Sequence, residues 1–173
     1  MNFIRKVNLK NWHDLEALKK DLAEGETPAD PVCSFNTREC RMSVFALDKT
    51  ERAARVAAAI VCRAQNLQDF EYVIFNSADV EEIGFQIKLS AGDTVDEEIN
   101  NLHYDISCIS AQELTKLTDR LISRERFPDT CNRVSKKDVA RHIIEGIENG
   151  FIKESRVNKD VLQKAKKAVN PER

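Results

Sequence analysis

Residues 42–76 constrain the fold more than any other stretch, because they read strand, helix, strand in unbroken succession. Residues 42–47, Met-Ser-Val-Phe-Ala-Leu, are a short apolar run of the kind that fills the inside of a sheet. Asp48 then offers an N-cap oxygen, and Glu51 the carboxylate that closes a capping box at a helix start. Within 50–65, Ala53, Val56, Ala57, Ile60, Val61 and Ala64 recur at i, i+3, i+4, i+7, i+8 and i+11. That spacing makes one apolar face about 100° wide, small enough in its side chains to lie close to a sheet. Residues 66–69 break the period, and 70–75 are rich in the aromatic and β-branched types that fit a pleated surface. The link through the helix is long enough for a right-handed parallel crossover, a βαβ unit.

The flanking chain adds further elements. Residues 3–9 alternate loosely and read as a first edge strand. Asn11 caps a helix with Trp12, Leu15, Leu18 and Leu22 on one side, ending near Gly25. Residues 24–31, with Pro28 and Pro31, read as a surface loop, and 32–35 as a short strand before a turn at Asn36 and Thr37. Residues 77–82 form a polar or helical turn, and 84–89 a half-solvated strand with Phe85, Ile87 and Leu89 inward. Residues 93–101 are an exposed loop or helical turn, and 102–109 hold a clean period of two. Ser110 and Glu113 box a helix running to about residue 126, broken by 127–130. Ser135 and Asp138 cap a helix with Val139, Ala140, Ile143, Ile144 and Ile147 inward, stopped at Asn149 and Gly150, and Asn158 caps the last. Hairpin-length links between 70 and 109 favour antiparallel pairing. The expectation is an α+β fold: one sheet of about four to six mostly antiparallel strands, helices packed on it, and a helical C-terminal part.

Charge divides the chain. Residues 133–173 hold 11 basic and 6 acidic residues, a local +5, whereas 1–132 hold 16 basic and 23 acidic, a local −7. We therefore expect a mixed α/β core domain over 1–132 and a basic helical extension over 133–173 packed on it. Such asymmetry suits an anionic partner or mutual attraction of the two parts. No stretch approaches the roughly 20 apolar residues of a spanning helix, and the first residues lack the apolar core of a signal peptide. A cytosolic protein with no membrane partner is the expectation. Five cysteines, Cys33, Cys40, Cys62, Cys108 and Cys131, are odd in number and include no Cys-x-x-Cys pair, which favours reduced, buried thiols.

Three groups of residues are suited to chemistry. His103 and Asp105, two apart on a strand, share a face and can form an acid/base pair. With Ser107 and the carboxylates Asp93, Asp96, Glu97 and Glu98 close in sequence, the same stretch has the oxygen-rich character of a hard-cation site. The polar outer face of a half-buried strand beside a solvated loop is the favoured account of these residues. Arg52, Arg55 and Arg63 form a row on the polar side of the 50–65 helix, suited to bidentate capture of phosphate or carboxylate. Helix surfaces are charged in any case. Lys136, Lys137, Arg141, Lys164, Lys166 and Lys167 decorate the C-terminal helices and are candidates for nucleic-acid contact. The 150–158 link exceeds the three or four residues of a helix-turn-helix, and Phe151 is the lone aromatic able to stack on bases.

Glycine-rich cofactor loops, a nucleophile elbow, His-Glu-x-x-His and cysteine knuckles are all missing from the sequence, so neither a cofactor nor a metal is expected. His13 and His142 are solitary on predicted helices. The leading expectation is a non-catalytic, cytosolic interaction module of the accessory, inhibitor or immunity-subunit kind, acting on another protein through charged surfaces. A small hydrolase or transferase using His103 and Asp105 with the arginine row comes second, and a nucleic-acid-binding accessory protein third.

Overall fold

The computed structural model describes residues 1–12, 26–35, 38–47, 52–107, 110–122 and 130–170. Among the described residues six strands form one antiparallel sheet: β1 (Asn2–Lys6), β2 (Arg41–Leu47), β3 (Phe70–Asn76), β4 (Gln86–Leu89), β5 (His103–Ser107) and β6 (Cys131–Val134). Their order is β4-β5-β2-β1-β3-β6. β1 pairs antiparallel with β3, placing Phe3 opposite Phe75 and Arg5 opposite Val73. The strand-helix-strand unit is thus a split crossover. Its two strands run the same way but have β1 between them, antiparallel to both.

β1 is therefore interior, not the edge strand that its loose alternation predicts. Phe3 and Ile4 point to opposite faces and are both fully buried. A strand covered on both sides has no reason to alternate. The edges are β4 and β6; β6, four residues with no clear period, went unpredicted. At β4 the expected inward Leu89 is instead 58% exposed.

The helices are α1 (Ala29–Ser34), α2 (Arg52–Val61), α3 (Ser77–Glu81), α4 (Glu97–Asn100), α5 (Ala111–Ile122), α6 (Lys136–Glu148) and α7 (Lys159–Val169), with 3-10 turns at Leu9–Asn11 and Glu154–Arg156. α1 replaces the expected loop and short strand. Pro31 falls in its first turn, where a backbone N–H has no helical partner to lose. Local capping chemistry matches its reading. Ser110 Oγ accepts from Glu113 N at 3.2 Å and Ser110 N donates to Glu113 at 2.8 Å. Ser135 Oγ accepts from Asp138 N, and Asn158 Oδ1 from Asp160 N. Gly150 takes φ +78° just past α6, a left-handed cap that a side chain would strain. The helix expected over 13–25, the box at 48–51, the turn at 36–37, Cys108 and the end of the 110–126 helix lie outside the described residues.

Two compact units make up the chain: Met1–Val44, Glu71–Lys88 and Tyr104–Asn132 in the first, and Phe45–Phe70, Leu89–His103 and Arg133–Arg173 in the second. In the first, Phe3, Phe35, Met42, Phe75, Leu117 and Leu121 are fully buried. Trp12 donates to Ser34 Oγ at 2.6 Å and meets Phe35 edge-on. Arg5, in β1, donates to the carbonyls of Phe35 and Ser43, and burial lowers its pKa to about 10. In the second, Val56, Ala57, Val61, Ile99, Val139, Ile143 and Val161 are buried. The basic segment 133–173 lies wholly in this unit, where Asn158 N donates to Cys62 O at 2.8 Å. Among the described residues no helix is long and apolar enough to cross a membrane.

Burial pushes the Cys62 thiol from 9.0 up to about 12. The folded state therefore disfavours the thiolate, and the stability carried by this burial is intact below about pH 9 and lost as pH rises toward 12. Iodoacetamide at about pH 8 should alkylate exposed Cys33 and Cys40 and spare Cys62, read by peptide mass spectrometry. Equal labelling of Cys62 would contradict this packing.

Candidate functional site

The arginine row of α2 and the acidic segment 93–98 meet. Arg55 grips Asp96 with two bonds, Nε to Oδ2 at 2.6 Å and Nη2 to Oδ1 at 3.0 Å, and also reaches Glu98 at 2.8 Å. Arg52 lies 3.6 Å from Glu98. Arg63 donates to both the carboxylate of Asp93 (2.6 Å) and its carbonyl (2.7 Å), while Arg156 stands 3.7 Å from the same carboxylate. Lys153 is 3.9 Å from Glu97. What the sequence offers as an anion site and a cation site is one interlocked set. Each group's charge is met within the chain.

The local sequence explains how they come together. On the helical wheel of α2 Ala59 falls between Arg52 and Arg55, with Arg63 in the turn beyond the helix, yet Ala59 is 0% exposed, so the polar side of α2 is covered. Ala58 is buried as well. Asp96, 1% exposed, is the N-cap of α4 and accepts from Glu98 N and Ile99 N besides Arg55. Thr94 Oγ1 braces the Asp96 backbone, and Asn100 Oδ1 accepts from Thr94 N at 2.7 Å. Gly92 fits only without a side chain, since a Cβ there would stand 2.7 Å from Asn100 Cα. Hydrogen bonding to Asp96 raises the Arg55 pKa, burial opposing it. The Arg63 hydrogen bond in turn holds the Asp93 carboxyl below its usual range.

Beside this set, Arg55 stacks on the ring of Phe151, 4.3 Å from its centroid, and Phe151 remains 49% exposed. A recess of about 270 Å³ opens here, lined by Arg55, Val95, Asp96, Glu97, Glu98, Gly150, Phe151 and Lys153. No group of three or more metal-ligating side chains occurs among the described residues.

His103 and Asp105 have separate partners. His103 Nδ1 bonds Ser90 Oγ at 2.7 Å, and its ring meets Phe45 edge-on at 5.1 Å. Asp105 Oδ1 accepts from Ser43 Oγ at 3.1 Å. The strand period identifies neither serine. They come from the pairing register, which sets Ser90 N against His103 O.

The basic helices are partly engaged. Lys136 donates its backbone N–H to Asp69 Oδ1 at 2.6 Å, and Arg141 bonds Asp138 at 2.8 Å. Lys164 donates to Asn66 at 2.5 Å, and Lys166 to Glu154 at 2.8 Å. The side chains of Lys136, Lys137 and Lys167 have no ion pair among the described residues. Between α6 and α7 lies a trough of about 490 Å³, lined by Ile144, Ile147, Glu148, Gln163, Lys166, Lys167 and Asn170. Comparison with known proteins finds no matching family model, curated protein or solved structure, so function is read from these side chains alone.

Truncating Asp96→Ala should lower stability by about 3 kcal/mol in urea unfolding, because it strands Arg55 and opens two backbone donors. Gly92→Ala should cost about 1–3 kcal/mol by overpacking. Asp93→Ala, at a solvated pair, should change the midpoint little. A mild Asp96→Ala variant would show that this clasp does not hold the segment.

Proposed function

We propose that the protein is a non-catalytic, cytosolic interaction module of the accessory, inhibitor or immunity-subunit kind, which binds another protein through charged surface. The observation that carries this reading is the mutual pairing of Arg52, Arg55 and Arg63 with the 93–98 carboxylates. The groups best suited to capture a substrate are thereby engaged within the fold. Lys137 and Lys167 stay available on the segment whose net charge is +5, where complementarity sets encounter rate and partner choice. The tagged chain, incubated with nuclease-treated lysate of its native cell, should retain a protein that re-forms a defined complex with it by light scattering. A Lys137→Glu/Lys167→Glu variant should lose that protein. Retention that nuclease abolishes would favour nucleic-acid binding by the basic helices, and a wild-type chain that retains nothing would overturn the proposal.

A second reading, a small hydrolase, rests on the Ser90–His103 bond, since a hydroxyl held 2.7 Å from an imidazole nitrogen is the start of an activated nucleophile. On this reading a fluorophosphonate probe labels Ser90 in the wild type and leaves His103→Ala unlabelled. An unlabelled wild type removes it.

A further inference from the structure

We infer that the trough between α6 and α7 seats an acidic amphipathic helix of a partner protein, an inference that rests on the interaction reading above and names the chemistry of the partner. Val139, Ala140 and Ile143 take the fully buried positions of α6, which leaves Ile144 and Ile147 half-buried as the floor of the trough. The wall from α7 includes Gln163, Lys166 and Lys167. Long lysine stems line such a wall with hydrocarbon and carry their ammonium groups to the rim. The floor is therefore apolar, and the lip carries Lys166, Lys167 and Glu148.

Charge selects the occupant. Lys166 already meets Glu154 at 2.8 Å, whereas Lys167 has no ion pair among the described residues. Glu148 stands on the lip as well. A carboxylate of the occupant is drawn to Lys167 and away from Glu148, which fixes its direction in the trough. The trough is partly open to solvent, which leaves room for a helix laid along it. Ile144 and Ile147, one helical turn apart, match apolar side chains at i and i+3 or i+4 of a docked helix.

The test titrates the methyl-labelled full chain with a capped peptide of about 16 residues, long enough to form a helix. The peptide is built of Leu, Ala and Glu with leucines every three or four positions; its twin carries Lys for each Glu. The acidic peptide should shift the δ1-methyl resonances of Ile144 and Ile147, and the basic twin should not. Lys167→Glu, a surface change, should weaken binding about tenfold, and Ile147→Ser should remove the shift at Ile144. Equal shifts from both peptides, or from neither, overturn the assignment. So does an equal shift from polyglutamate, because charge without apolar side chains would then suffice. Retention of the native partner by the Ile147→Ser chain sinks the trough and leaves the interaction reading standing, whereas a wild-type chain that retains no partner sinks that reading itself.

Discussion

A buried carboxylate must be fully satisfied, and the second unit is arranged around one. Asp96 is nearly solvent-free and accepts four hydrogen bonds, two from Arg55 and two from the first turn of α4. Taking the carboxylate out of water costs several kcal/mol, and close, hydrogen-bonded pairing with the partly exposed Arg55 and the α4 backbone offsets that. The same constraint explains the neighbours. Ala59 is small where the segment closes down, Gly92 lacks a side chain where Asn100 approaches, and Thr94 braces the backbone that carries the charge.

The ion pairs differ in weight, and burial decides between them. Arg55–Asp96 works in a low-dielectric setting with fixed geometry. Arg63–Asp93 and Lys153–Glu97 are largely solvated, where screening and side-chain entropy leave little net gain. The outer pairs therefore tune the surface potential more than they hold the fold. Stacking of Arg55 on Phe151 adds a further contact to the arginine that holds the buried carboxylate.

How much was legible follows from how local each signal is. Strand-helix-strand over 42–76 and the caps at Ser110, Ser135 and Asn158 depend on residues within one turn of each other, so the chain displays them openly. α1 was hidden because two prolines in eight residues resemble a loop, although Pro31 sits where its missing N–H is harmless. β6 offers only Cys-Asn-Arg-Val, too short to show a period. The site was legible as ingredients but not as a set. Arg55 and Asp96 are 41 residues apart, and no spacing rule links a helix to a later turn. Ser90 was invisible as His103's partner for a similar reason, since the pairing register alone brings them together.

The insertion of β1 between β2 and β3 bears on how the chain is assembled during synthesis. β2 (Arg41–Leu47) is the first neighbour of β1 to be synthesised, and β3, where Asn2 pairs with Asn76, is the second. Until β2 arrives, two bulky, fully apolar positions, Phe3 and Ile4, have no sheet to cover them. Pairing strands so far apart in sequence costs loop-closure entropy before the contacts reward it, the feature that slows folding of non-local topologies. The centre of the sheet is therefore completed late, once both strands that flank β1 exist.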